Sequence, residues 1–197
     1  MPSGRVDGSL YIGAQGGIEQ MNVTTLYKPG ELGKRIELSG KAYQLVQVDS
    51  GATASTGAGH VPQCGDLAFW KNKSTYTVTN DRTQAFCGVT NSRNAVAGVF
   101  CQVANSAPVA GAASITPGNY GYIQQRGQHV GVLTSAATLT SGLLICASSS
   151  ATVPDGVNIA VGSSPVGNVV GTATAGNGAV TATYTPATLG NEDVDTV

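Results

Sequence analysis

The sequence predicts an all-β protein: a small β-barrel or sandwich with an extended N-terminal arm and a long loop. Three observations carry this. Glycine is abundant, at 27 of 197 residues, and Ala, Thr, Ser and Val fill much of the rest. That mixture suits short strands and frequent turns and gives little support to long helices. Apolar residues recur at spacing two, as in Tyr120/Tyr122 and Val130/Val132, so each such segment has one face to bury. Turn-forming residues punctuate the segments, and the sum is about ten short strands.

Taken in order, residues 1–30 form a Gly-rich lead in which only Leu10-Tyr11-Ile12 and Val23 to Tyr27 are able to pair or pack. This is the expected arm, able to order on contact with a neighbour. Residues 31–186 are the expected barrel or sandwich. It opens with a hairpin from Gly33 to Val48 around Ser39-Gly40, in which polar and apolar residues alternate. Asp49 to Gly59 reads as an exposed low-complexity loop. Cys64-Gly65-Asp66 reads as a turn leading into the apolar anchor Leu67-Ala68-Phe69-Trp70. Further strands are expected at Tyr76–Thr79, Thr83–Thr90 and Ala95–Val103, with Phe86-Cys87-Gly88-Val89 in the core.

The most organised stretch is Ile115 to Leu144. Pro117 and Gly118 suit the two central positions of a type II turn. A strand Tyr120–Gln125, a break at Arg126-Gly127 and a second strand Gln128–Leu133 are expected to follow. Beyond the apolar run Leu139–Cys146, Val153–Val161 reads as another strand. Val169–Ala175 and Ala179–Thr185 read as a hairpin around Asn177-Gly178, since Asn-Gly takes positive φ at little cost. Residues 187–197 read as a loose acidic tail.

Charged residues make up 11% of the chain and the net charge is −1, so a broad electrostatic footprint for nucleic acid or an anionic membrane is absent. The N-terminus has no apolar core of a secretion signal, and no apolar run approaches a membrane span. Synthesis in the cytoplasm is the resulting expectation. Such low charge is unusual for a freely soluble monomer, and it points to a surface covered by a partner. The four cysteines, Cys64, Cys87, Cys101 and Cys146, contain no C-x-x-C pair and read as buried thiols. Neither a metal nor a cofactor is expected.

No nucleophile elbow, phosphate loop or zinc-helix motif is present. His60 or His129 is available as a base for Cys64 with Asp66, but the plainer reading of each is an exposed or edge-strand histidine. No enzymatic activity is expected. Asn22-Val23-Thr24 and Asn72-Lys73-Ser74 match the glycosylation pattern and carry little weight without a signal peptide. Trp70, with Phe69 and Tyr76, offers a sugar-stacking platform, although aromatics beside apolar strand residues are more often core. Arg126 is a candidate hydrogen-bonding contact to a partner.

Several segments resemble the head decoration, or capsid cement, proteins of tailed phages. They are TPGNYGYIQQRGQHVGVL (Thr116 to Leu133), LTSGLLICASSSAT (Leu139 to Thr152), Val169-Val170-Gly171-Thr172-Ala173, Ala97-Gly98-Val99-Phe100, and the opening Glu31 to Tyr43. The resemblance spans roughly residues 29–184. It implies a structural virion protein, made in the host bacterial cytoplasm, that sits on the outer capsid surface and bridges major capsid protein subunits, often as a homotrimer. The arm is then expected to make the contacts, with Leu10, Tyr11, Ile12, Tyr27 and Arg126 as candidate capsid-binding or partner-binding residues. The alternative is a carbohydrate-binding or adhesion module of a head fibre, which needs Trp70 and Tyr76 exposed.

Overall fold

A computed structural model describes residues 31–38, 40–52, 61–86, 95–101, 111, 114–134, 144–147, 157–159, 169–173 and 183–190. Its ten strands are β1 (Arg35–Leu38), β2 (Lys41–Val48), β3 (Leu67–Asn72), β4 (Thr77–Thr79), β5 (Val96–Phe100), β6 (Tyr120–Thr134), β7 (Leu144–Ala147), β8 (Val157–Ile159), β9 (Val169–Ala173) and β10 (Thr183–Gly190). Among the described residues helix is confined to 3-10 turns, at Arg82–Gln84 and at Ala95. None of them forms a helix long and apolar enough to cross a membrane. The all-β expectation holds, and of its two forms the protein takes the barrel.

The barrel closes through β2, β4, β3, β5 and β6, with β1 added on β2 as an extra strand. The β1–β2 hairpin forms where the alternation places it. Leu38 pairs with Lys41, and Gly40 in the tight turn takes φ +75, which suits a residue without a Cβ. The type II turn also forms: Asn119 N–H donates to Thr116 O at 3.0 Å and Gly118 has φ +87. Two further bonds, Gly118 N to Val48 O and Val48 N to Asn119 O, both 2.9 Å, tie that turn to the end of β2.

The interior packs Val46, Val48, Trp70, Val78, Phe100 and Ile123 together. Each fully buried large apolar side chain contributes about 1.5–3 kcal/mol. The opposite faces of the same strands are covered as well, since Tyr43, Leu45, Leu67, Phe69 and Tyr122 are all buried. The hairpin was expected to show one polar face; instead Gln44 is buried along with its apolar neighbours. Gly98 stands where β5 meets β6, and a Cβ there would lie 2.7 Å from Gln124 O. It allows close backbone approach, next to a bulge at Ala97 in the pairing with β3.

Other expectations need correction. Thr83–Phe86 is not strand: Asp81 accepts from Thr83 N at 2.8 Å, Thr83 Oγ1 at 2.6 Å and Gln84 Nε2 at 3.1 Å, and so caps the 3-10 turn. A side chain that satisfies local donors offers the backbone an alternative to the sheet. Phe86 is 53% exposed and is no core residue. In the loop after β2, Ser50 and Gly51 are exposed as expected but Ala52 is buried; residues 53–59 of that loop lie outside the described residues. Finally, β10 reaches Gly190 and buries Leu189. The sheet therefore continues past residue 186, and only residues 191–197 of the expected tail lie beyond the described residues.

The remaining strands complete a second cycle of pairings, β6–β10–β9–β7–β8 and back to β6. β9 and β10 are antiparallel, as the hairpin reading requires. A two-residue turn at Asn177-Gly178 would set Ala173 opposite Ala182, whereas it stands opposite Ala187. β6 thus belongs to both cycles. It runs unbroken across Arg126-Gly127, where two strands were expected, but a register shift and the φ of +92 at Gly127 mark that place.

Candidate functional site

Of the candidate partner-binding residues, Leu10, Tyr11, Ile12 and Tyr27 lie outside the described residues, as does the expected arm as a whole. Arg126 stands at the exchange point of β6. Ala42 of β2 pairs with it on one edge and Gly190 of β10 on the other. Its Nη2 meets Glu37 Oε1 at 2.5 Å, with the two side chains 43% and 70% exposed. Glu37 itself pairs with Ala42, so the ion pair reaches across β2 on the outside of the sheet. An exposed pair of this kind contributes about 0–1 kcal/mol. It leaves Arg126 reachable by a partner while setting the direction of its guanidinium.

Directly inside this point the sequence reading missed a run of buried amides. Gln125 Nε2 donates to Gln44 Oε1 at 2.7 Å and to Ala97 O at 3.0 Å. Gln44 Nε2 in turn donates to Gly33 O at 3.1 Å. Three strands and the approach to β1 are joined by two side chains. Buried amides are stable only when such partners are supplied. The sequence signal is the pair Gln124-Gln125 before Arg126-Gly127, read earlier only as strand.

The other candidates are placed as follows. His129 is buried in β6 with Ala187 of β10 as its Cα partner, against the expectation of an exposed histidine. Its Nδ1 lies 2.9 Å from Gly131 O and 3.3 Å from Gly131 N. Cys64 and Cys101 are buried thiols. Asp66 is buried and accepts from Gln63 N at 2.8 Å, so the Cys64–Asp66 turn presents neither group to solvent. His60, Cys87 and Cys146 lie outside the described residues or have no described side chain. Among the described residues no three His, Cys, Asp or Glu side chains gather at one point.

Trp70 is 3% exposed and meets Tyr76 edge-on, with ring centroids 6.2 Å apart. Tyr76 has φ +50 and its ring lies over Gly33, where an added Cβ would come within 2.3 Å of it. The indole is core, whereas Tyr76 is 36% exposed even as its ring covers Gly33. A second exposed aromatic at this end is Phe86, with Lys73 Nζ 5.6 Å from its ring centroid.

No protein-family model matches the chain, and no curated protein matches it.

Proposed function

We propose that this chain is a structural virion protein that binds the outer surface of an assembled phage capsid and stabilises it by bridging major capsid subunits. One observation carries the reading. The stretch with the fullest resemblance to head decoration proteins, Thr116 to Leu133, is the turn and strand on which both cycles of pairings are built. A resemblance confined to a surface loop would weigh far less. The small net charge agrees with a chain whose partner is neither nucleic acid nor lipid. The adhesion reading loses its main residue, because Trp70 is buried.

Physically, a protein that binds only the assembled shell stabilises it by mass action. A symmetric oligomer, with a trimer favoured, engages several subunits at once and turns modest contacts into avidity. Residues 1–30 are assigned the capsid contacts. The test is co-sedimentation of the full chain, and of a chain lacking residues 1–30, with undecorated phage heads. Saturable binding by the full chain alone supports both the function and the arm. If neither chain binds, the reading is overturned, and a glycan array becomes the decisive assay.

A further inference from the structure

Three consecutive carbonyls of β6 converge on one atom. Arg126 O and Gly127 O lie 3.1 Å from Gln124 Nε2, and Gln128 O lies 3.2 Å from it. Successive carbonyls of a regular strand point to opposite edges, so this convergence requires a break in extended geometry. Gly127 supplies the break with φ +92, and a Cβ on it would lie 2.7 Å from Gly40 O. Gln124 is buried, and three acceptors around it fix which end of its amide faces them.

An amide nitrogen carries two protons, one fewer than the carbonyls it meets here. Three carbonyl oxygens within 3.2 Å of one part-buried nitrogen make a negative potential there, the environment that oxygen-ligated hard cations occupy. We propose that the Gln124 amide stands in for such a cation and latches the partner exchange of β6. With a positively polarised group in the cradle, the backbone from Arg126 to Gln128 holds the conformation that sets β2 on one edge and β10 on the other. Without one, the carbonyls repel, and β6 loses the register that joins the two cycles. Gln124 is therefore a positioning residue, and the cradle is a latent cation site. The inference rests on the fold alone and is independent of the capsid reading.

The test compares Gln124→Met and Gln124→Glu with the wild-type protein by thermal unfolding, in chelator and in millimolar Ca2+. Gln124→Met fills the space without a donor and lowers Tm by roughly 3–10 °C in both conditions. Gln124→Glu is destabilised in chelator and recovers with Ca2+, because its carboxylate completes an all-oxygen site. The wild-type Tm is unmoved by Ca2+. If Gln124→Met matches the wild type, or Gln124→Glu is indifferent to Ca2+, the latch is overturned. Should neither variant fold, the wild-type protein decides by NMR: the Gln124 side-chain amide protons exchange slowly with solvent if they are latched, and at the free-amide rate if they are not.

Discussion

The two halves of β6 share one backbone and live in different surroundings. From Gly121 to Gln125 every residue is buried, with β2 on one edge and β5 on the other. From Gln128 onward exposure alternates for four residues: Gln128 and Val130 face out, while His129 and Gly131 face in. The hydropathy there is inverted, with the valine outside and the histidine inside. Pairing with β10 explains it. Thr185 stands opposite Val132 and Ala187 opposite His129, so β6 carries one extra residue across from Pro186. Proline has no N–H to give to the ladder, and a bulge at this point returns Val132 to the face that His129 occupies. Spacing two reports a common face only where no bulge intervenes.

The largest effect expected from this contrast is at Ile123 in the first half. Ile123→Ala should cost about 2–5 kcal/mol in denaturant unfolding, because the site is enclosed on all sides and leaves a cavity. Gly127→Ala, at the junction, should cost about 2 kcal/mol or more, from a left-handed backbone and the approach of Gly40 O. A stability change below half that amount would mean that the two halves are not joined by a fixed geometry. Arg126→Ala should cost about 0–1 kcal/mol, shrinking further as salt is raised. In the second half, Val130→Thr should stay within about 0.5 kcal/mol of the wild type. A loss there as large as that of Ile123→Ala would erase the contrast.

Much of the fold is legible in the sequence because local chemistry decides it. Ser39-Gly40 and Pro117-Gly118 lead to turns at the expected places, and Leu67–Trp70 forms the apolar anchor. The failures come where tertiary structure overrides a local signal. Asn177-Gly178, a strong turn signal, lies outside the described residues; β9 and β10 do pair antiparallel, but not in the register a two-residue turn there would give. Gln44 looks like a solvent-facing residue because its alternation is intact. Only the position of Gln125 on a distant strand makes it a buried partner. Phe86 looks like core by composition, yet the single 3-10 turn capped by Asp81, five residues earlier, leaves it exposed. Of the candidate site, Arg126 was legible as a discontinuity beside Gly127, while the carbonyl cradle was not, since backbone convergence leaves no trace in hydropathy.

The sharing of β6 also bears on how the chain is made. Strands β2 and β5 are both synthesised before β6, and each waits for it to complete its hydrogen bonds. Until residue 126 has left the ribosome, the nascent barrel is an open sheet with two bare edges, the arrangement most prone to pairing with another chain. Closure of the first cycle then links residues some eighty positions apart, a slow step by its topology. The second cycle is built on the other end of the same strand, and its remaining strands are synthesised later. The interval before β6 emerges is therefore the period when a chaperone matters most.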